Sequence, residues 1–170
     1  MMNDWQTELL EQAAYRMNEN TPRIAACLAE LHEEEVWLRP NAASNSMGNL
    51  VLHLCGNIRQ YAISGLGGQP DVRTRDEEFA AQGGPTKAEL LAALTATVHE
   101  ALVIIQNSDE QNLLARRWVQ GYELSGIGII MHVVEHYSYH TGQIAFWTKL
   151  LKNKDLGFYA GVDLNVKNQR

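Results

Sequence analysis

Apolar residues recur at helical spacing in four long stretches of this 170-residue chain. The first stretch runs from Asp4 to Glu35, and we expect Pro22 within it to kink the helix or divide it in two, since proline lacks a backbone N–H. The second stretch begins near Ser44 or Asn45, either of which can cap a helix, and it ends at the glycines between positions 65 and 68.

The third and fourth stretches lie in the second half of the chain. The third opens at Thr86, which has the spacing of a capping box with Glu89, and it ends near residues 107–109. The fourth runs from about Leu124 to Lys152 and carries lysines at its end, where cations suit the helix dipole.

Three segments without helical periodicity complete the chain. Residues 69–85 combine proline, glycine and charges, which predicts a long crossover connection, and a connection of that length in a compact domain is often functional. Residues 113–123 form a second connection with some extended character, and residues 155–170 form a polar, glycine-rich tail. The pattern predicts an all-α fold, a four-helix bundle with long crossover connections, in one domain that spans residues 1–170.

Composition narrows the class of protein. The formal net charge is -6, with 14 Lys and Arg against 20 Asp and Glu and no basic block, so nothing indicates nucleic acid as a partner. The two cysteines are too few for a disulfide scaffold. The N-terminus lacks the features of a signal peptide, and apolar windows such as residues 124–134 are shorter than the ~20 residues that a membrane span needs. We therefore expect a cytoplasmic protein with no membrane partner.

Three histidines, His132, His136 and His140, follow one another at intervals of four residues in the last predicted helix. Successive members lie one turn apart on one face, which Gln143 and Trp147 extend. Three imidazoles are costly to desolvate together unless a shared cation or a polar cavity accounts for them. Residues eight apart are separated by about 12 Å along the axis, whereas zinc ligands lie about 2 Å from the ion. One ion can therefore take either neighbouring pair, and His136 belongs to both.

A further ligand should come from another helix. His53 lies inside the second predicted helix, close to Asn57, and it is the preferred third ligand. His32 stands in a run of glutamates and His99 precedes Glu100, so we interpret both as surface residues. A lone histidine on an apolar helix face is often structural, so the pattern alone leaves the role of His53 open.

Two other motifs overlap these residues. His132 to His136 forms the pattern H-x-x-E-H of inverted zinc proteases, in which Glu135 would serve as the base. Such proteases are much larger and need a further acidic ligand that the sequence does not place. Cys55 is two residues from His53 and points away from it on a helix, so we interpret Cys55 and Cys27 as small core residues.

Several further motifs are spread along nearly the whole chain. They are Trp37-Leu38-Arg39-Pro40; Asn45-Ser46-Met47-Gly48-Asn49-Leu50; His53 with Gly56-Asn57-Ile58-Arg59-Gln60; Arg73, Arg75 and Glu78-Phe79; and His136-x3-His140-Thr141-Gly142-Gln143. With these motifs the chain resembles the DinB-like family of metal-binding four-helix bundles, which includes the YfiT-type proteins and the mycothiol- and bacillithiol-dependent S-transferases. The last motif, together with His53, is the most specific part of the resemblance.

In that family, one histidine of the second helix and two histidines one turn apart on the last helix bind a divalent metal. The resemblance therefore implies that His53, His136 and His140 bind one ion, zinc or nickel. It leaves His132 outside the ligand set, either supporting the ligands or facing the substrate. Thr141 stands where many members have arginine, which puts in doubt a contact with a substrate anion at that position.

The resemblance also implies a function. Three neutral imidazoles leave a position open on the metal, as in catalytic sites. The family then suggests that a low-molecular-weight thiol is the small-molecule substrate, activated for S-transfer. The alternatives are a metallohydrolase, in which Glu135 or another carboxylate is the base for a metal-bound water, and a non-catalytic metal-binding or stress-response bundle.

Side chains near the predicted ligands are candidates for catalytic, lining or orienting roles. They are Tyr137, Tyr139, Gln143, Asn57 and Arg59, and the catalytic candidates are Tyr139, Gln143 and Glu135. Apolar surface on the helices can also support a homodimer, although the sequence does not indicate which face would pair.

Overall fold

The computed structural model of the protein describes residues 4–168. Its elements are α1 (Asp4–Glu30), α2 (Glu33–Val36), α3 (Met47–Ile58), a π-helical segment (Arg59–Leu66), α4 (Arg75–Ala80), α5 (Lys87–Gln106), α6 (Glu110–Leu114), β1 (Arg116–Val119), β2 (Tyr122–Ser125) and α7 (Gly126–Lys152). Residues 1–3 and 169–170 of the predicted domain, 1–170, lie outside the described residues. Residues 1–3 also belong to the N-terminus in which no signal peptide is expected.

The mostly helical architecture confirms the predicted fold class. The long helices α1, α3, α5 and α7 lie in the four stretches of apolar periodicity. Helices α1 and α3 each pack against both α5 and α7, and the interior is filled by Leu, Ile, Val and Met side chains from all four. Because α3 lies directly against α7, residues far apart in the sequence meet on the two facing helices.

Helix α1 continues through Pro22 as one helix, so the alternative of two separate helices was wrong. The proline ring is exposed on the outer side of the helix. The flanking turns are held by Met17 and Ile24, which are fully buried, and the Thr21 hydroxyl donates to the Met17 carbonyl at 3.2 Å. Packing on both sides of the proline therefore outweighs the loss of one backbone hydrogen bond.

The cap of α3 is Ser46, and the expectation of Ser44 or Asn45 was wrong. The Ser46 Oγ accepts a hydrogen bond from the Asn49 N–H at 3.1 Å, and the Asn49 Oδ1 accepts one from the Ser46 N–H at 3.1 Å. This reciprocal pairing satisfies two backbone donors at once, which neither of the neighbouring residues can do with a residue three positions on.

Helix α3 is extended by the π-helical segment, which ends at Leu66, next to the glycines predicted to terminate the second helix. A π-helix is rare and is frequently found at functional sites. Tyr61 lies in this segment, and its ring stacks on His132 of α7.

The two connections contain more regular structure than the sequence pattern predicts. The crossover of residues 69–85 includes the short helix α4. The second connection begins at the end of α6 and continues into an antiparallel hairpin, β1–β2, which confirms its extended character. The hairpin turns at Gln120 and Gly121, whose φ values of 51° and 82° are those of a type I′ turn. The capping box of Thr86 and Glu89 at the start of α5 is confirmed.

Helix α5 is the one helix among the described residues that is long and apolar enough to cross a membrane by length and composition. Core helices of soluble proteins pass the same test. In this fold α5 packs against α1 and α3 and buries residues such as Leu94 and Val98. The cytoplasmic location and the absence of a membrane partner stay predictions.

The capping geometry of α3 makes a testable prediction. Ser46→Ala should lower the free energy of unfolding by about 1–2 kcal/mol, because the Asn49 N–H and side chain lose their partner in a buried setting. Ser44→Ala, the matched control, removes only a hydrogen bond to Asn41 in an exposed turn and should change stability by less than about 0.5 kcal/mol. Urea unfolding followed by circular dichroism measures both, and equal effects would contradict the assignment of the cap.

Candidate metal centre

The packing of α3 against α7 brings His53, His136 and His140 together. Their candidate ligand atoms all lie within 4.8 Å of one another, and the Nε2 atoms of His53 and His136 are 3.1 Å apart. Nitrogens around a tetrahedral zinc ion, each about 2 Å from the metal, are separated by roughly 3.4 Å. Small side-chain movements therefore suffice for the three imidazoles to hold one divalent ion.

The local environment keeps His136 and His140 in the form that binds metal. Burial, together with the neighbouring His140 and His53, lowers the pKa of His136 to about 3. Burial also lowers the pKa of His140. Both rings are therefore neutral near pH 7 and offer a lone pair, which is the state that a metal ligand requires.

A buried carboxylate orients the ring of His53. The His53 Nδ1 lies 3.0 Å from the Glu78 Oε2, and Arg73 donates to both oxygens of the same carboxylate at 2.7 and 2.8 Å. The Arg73 Nη2 also lies 3.0 Å from Nδ1, but the carboxylate is the stronger partner because it is charged and can only accept. This arrangement assigns the proton of His53 to Nδ1 and leaves the Nε2 lone pair facing His136. Histidines that bind metals are usually held by a carboxylate in this way.

The ionised state of Glu78 is set by its neighbours. Burial on its own raises the pKa of this carboxyl, but the hydrogen bonds from Arg73 and His53 outweigh it and hold the pKa below its usual range. The charged network continues outward, since the Gln60 Oε1 accepts from Arg73 at 2.8 Å and the Gln60 Nε2 donates to Asp71 at 2.8 Å. A chain of hydrogen bonds thus joins a candidate ligand to the protein surface.

Two residues of α3 allow α4 to approach so closely. A Cβ at Gly56 would lie 1.9 Å from the Glu78 Oε1, so only glycine leaves room for the carboxylate. The Asn49 side chain donates to the backbone carbonyls of Glu78 and Ala81 at 2.9 and 2.8 Å. The crossover segment is therefore fastened to α3 one helical turn on either side of His53.

His132 lies outside the three-histidine cluster. Its Nε2 is 3.2 Å from the Asn57 amide nitrogen, and its ring stacks on Tyr61 with the centroids 3.9 Å apart. Tyr61 in turn donates to Gln120 of the hairpin at 2.9 Å. The H-x-x-E-H reading pairs His132 with His136, whereas in the structure His140 joins His136 and His53.

An open groove between α1 and α7 adjoins the cluster. Its volume is about 850 Å³, and the residues that line it include Arg16, Arg23, His132, His136, Tyr139 and Tyr159. Because His136 belongs both to the cluster and to the wall of the groove, the groove adjoins the cluster at this residue.

Of the three catalytic candidates of α7, Tyr139 and Glu135 line this groove and Gln143 does not. The ring of Tyr139 is exposed and meets His140 edge-on, with the centroids 5.0 Å apart. The Gln143 Oε1 lies 2.7 Å from the His140 Nδ1, so Gln143 orients that ring as Glu78 orients His53. Glu135 is exposed and lines the groove.

Of the five lining candidates, Tyr139 lines the groove, whereas Asn57, Arg59, Tyr137 and Gln143 do not. Tyr137 is completely buried, and its hydroxyl pairs with Thr21 on α1 at 2.9 Å. It points into the core because adjacent residues on a helix differ by about 100° in direction. Arg59 is exposed on another side of the protein, where it pairs with Glu100 at 3.4 Å.

The remaining histidines and the cysteines lie where the sequence pattern predicts. His32 and His99 are exposed. Cys27 is buried and Cys55 is half-buried, and neither is close enough to join the cluster. Burial raises the pKa of Cys55 to about 11 and also raises that of Cys27, so both thiols are protonated near neutral pH. Such thiols are poor nucleophiles and poor ligands.

Sequence reasoning did not assign roles to Glu78, Arg73 and Gly56, although all three stand in the motifs of the family resemblance. Glu78 is the one buried residue of α4, an otherwise charged and exposed helix. A glycine one turn after a histidine, on the same helix face, was the other available signal. Neither signal indicates which residue would be in contact, because Glu78 is more than 20 positions from both His53 and Gly56.

The fold and the cluster define the class of protein. The crystal structure of the DinB-like protein YjoA from Bacillus subtilis aligns with this chain at a TM-score of 0.65, covering 85% of this chain and 94% of that one at 14% sequence identity. This match confirms the resemblance to the DinB-like family at the level of the fold. A family model matches residues 4–160, and the chain belongs to that DinB-like family, which is described as a protein of unknown function (DUF1572). No curated protein matches the sequence.

The ligand set can be tested by removing one histidine at a time. His53→Ala, His136→Ala and His140→Ala should each lose most of the bound metal, because two imidazoles hold a divalent ion far less tightly than three. His132→Ala and the exposed control His99→Ala should keep it. Elemental analysis of protein purified without a metal-affinity tag gives the metal content. Full occupancy after loss of His53 or His140 would exclude this ligand set, and loss only with His132 and His136 would favour H-x-x-E-H.

The close approach at Gly56 gives a second test. Gly56→Ala should lower the free energy of unfolding by about 1–3 kcal/mol, because the new methyl group forces the Glu78 carboxylate away. It should also weaken metal binding by about tenfold or more, since His53 loses its orienting partner. Gly128→Ala is the control, because the nearest atom to its Cβ would be 3.5 Å away. Calorimetric titration with zinc measures the affinities, and equal affinities in the two variants would refute the role of Glu78.

Proposed function

We propose that this protein is a metal-dependent enzyme that activates a low-molecular-weight thiol for transfer to a small electrophile. His53, His136 and His140 hold the divalent ion, zinc or nickel. The observation that carries the proposal is the position of His136, which belongs to the three-histidine cluster and also lines the groove between α1 and α7. A ligand of the ion is thus reached directly from an open cavity.

The donor set supports a catalytic rather than a structural ion. Structural zinc sites are closed by four protein ligands, whereas catalytic sites have three and keep one position open. The cluster within the described residues consists of three imidazoles. When bound there, a divalent ion supplies Lewis acidity, which lowers the pKa of a thiol or a water molecule at its open position.

The chain's own residues position the ligands and shape the cavity. Glu78 and Arg73 hold His53 with its Nε2 toward the ion, and Gln143 holds His140. The ring of Tyr139 lines the cavity and covers the edge of His140. In the proposed reaction the thiol gives its proton to solvent, its sulfur forms a bond to an electrophilic carbon, and the leaving group departs with the electron pair of the broken bond.

In this proposal the reacting thiol belongs to a bound small molecule and not to a cysteine of the chain. Cys27 and Cys55 are held in the protonated form by burial and lie away from the cluster. A free small-molecule thiol persists in a reducing compartment, so the proposal includes a cytoplasmic location.

A metallohydrolase that relies on a general base would need a carboxylate beside the ion. Glu78 contacts a candidate ligand, but both of its oxygens are occupied by hydrogen bonds with Arg73 and His53. Glu135 lines the groove and is the remaining candidate from the sequence. A thiol ionises more readily than water, because its unperturbed pKa is about 8.5 against about 15.7 for water, and for this reason we favour thiol transfer over hydrolysis.

The function is tested with the metal-loaded protein, monochlorobimane as the electrophile, and bacillithiol, mycothiol or L-cysteine as the thiol. Fluorescence should rise at least tenfold faster than without protein for one of these thiols, and chelation or His136→Ala should abolish the gain. His99→Ala is the matched control and should keep the activity, since His99 is exposed on α5.

A non-catalytic role for the ion predicts a different pattern. If the ion only fastens α3 to α7, chelation should lower the melting temperature markedly while no thiol and no ester substrate is turned over. Turnover of p-nitrophenyl acetate that is lost in Glu135→Gln would instead support the hydrolase. Either result would refute thiol transfer.

A further inference from the structure

Two of the three candidate metal ligands are held through a second ring nitrogen. The His53 Nδ1 lies 3.0 Å from the Glu78 Oε2, and the His140 Nδ1 lies 2.7 Å from the Gln143 Oε1. His136 is the exception, because its Nδ1 is buried and has no hydrogen-bond partner among the described residues. Histidines that bind metals almost always donate their second N–H to an acceptor, so an acceptor for His136 is expected close by.

The missing acceptor bears on the metal-loaded state in particular. The His136 Nε2 lies inside the cluster, 3.1 Å from the His53 Nε2. When Nε2 is used for an ion, a neutral imidazole carries its proton on Nδ1. A buried N–H without an acceptor is unfavourable. Binding of the ion is therefore strengthened by any side chain that accepts a hydrogen bond from the His136 Nδ1.

Asn57 carries a buried acceptor that is also unused. This residue is 3% exposed, and its Oδ1 has no hydrogen-bond partner in the part of the chain that the structure describes. Its Nδ2 lies 3.2 Å from the His132 Nε2. Buried side-chain amides usually have partners for both ends. With the amide reversed, the unpartnered atom of Asn57 would be a donor and could not pair with the Nδ1–H of His136.

The two unused atoms belong to neighbouring turns of one helix contact. Asn57 follows His53 by one turn on α3, and His132 precedes His136 by one turn on α7. The contacts of His53 with His136 and of Asn57 with His132 are therefore successive steps along an antiparallel pair of helices. The rings of His132 and His136 are stacked, with their centroids 5.3 Å apart. The Asn57 amide thus lies beside this stack, one turn from the cluster.

We propose that Asn57 is the positioning residue of His136. In the metal-loaded protein its Oδ1 accepts a hydrogen bond from the His136 Nδ1–H, while its Nδ2 stays bonded to His132. The bond to His136 is absent from the structure and forms as the imidazoles close on the ion. Each ligand then has an acceptor of its own, and His132 contributes to the site by fixing the direction of the Asn57 amide. The inference rests on the metal centre of the proposed function and not on the thiol reaction.

Zinc affinity tests the role of Asn57. Asn57→Leu has a similar volume but no acceptor, and it should raise the dissociation constant for zinc at least tenfold. Asn57→Asp keeps an acceptor and should keep or tighten binding, because an anionic acceptor is stronger. His132→Phe is the matched control, since it removes the other partner of the amide and should leave the constant unchanged. Calorimetric titration measures the four proteins, and circular dichroism melts of the metal-free forms check that they are folded.

The outcomes of this titration separate the explanations. Equal zinc affinity in the wild type and Asn57→Leu would overturn the proposal. Equal losses in Asn57→Leu and His132→Phe would also overturn it, because the effect would then pass through His132. Equal losses in Asn57→Leu and Asn57→Asp would show that the donor of the amide matters rather than its acceptor, and would refute the proposed bond.

Nuclear magnetic resonance gives a readout that a purely structural role would not move. In zinc-loaded protein with isotope-labelled histidine, proton–nitrogen correlation spectra should show His136 protonated at Nδ1, with the proton shifted downfield by its hydrogen bond. In Asn57→Leu this resonance should move upfield or be lost to exchange with water. An unchanged resonance would refute this inference alone, whereas a wild-type protein that binds no zinc would refute the metal centre together with it.

Discussion

The geometry of the candidate site depends on the buried contact of His53, Glu78 and Arg73. The carboxylate lies between an imidazole and a guanidinium in a setting where an unpaired charge would cost several kcal/mol. Each group thus requires the other two. Because Glu78 belongs to α4 and Arg73 to the segment before it, the same contact that orients a candidate metal ligand also fixes the crossover against α3. Gly56 makes room for it, and Asn49 secures the backbone beside it.

The candidate ligands on α3 and α7 are both held by hydrogen bonds from neighbouring side chains. His53 is held from the crossover side by a carboxylate, and His140 is held within α7 by Gln143. His136 stands between them with its pKa lowered by burial and by the other two rings. Three imidazoles crowded into one place are unfavourable without a common partner, which is the physical reason to expect a cation there. The open groove lies beside His136.

Much of the fold could be predicted from the sequence, because helical periodicity and capping are local properties. The four long helices, the capping box at Thr86 and the surface positions of His32 and His99 agree with the pattern. The incorrect and missing predictions also concern local features, the cap of α3 and the short helix α4. Several residues near the start of α3 can cap a helix, and the choice of Ser46 depends on its reciprocal bonds with Asn49. The crossover lacks periodicity because α4 is only six residues long and buries one side chain.

The sequence by itself determined that three histidines share one face of the last helix and that no single ion can take all three. The spacing left two pairs open, and the resemblance to the DinB-like family implied which one. Only the tertiary structure decided which groups lie against His53, how His132 is held by Asn57 and Tyr61, and that Tyr137 faces the core. The reason is physical. Periodicity gives the direction of a side chain on its own helix, whereas contacts between helices depend on how α3, α4 and α7 are rotated and packed against one another.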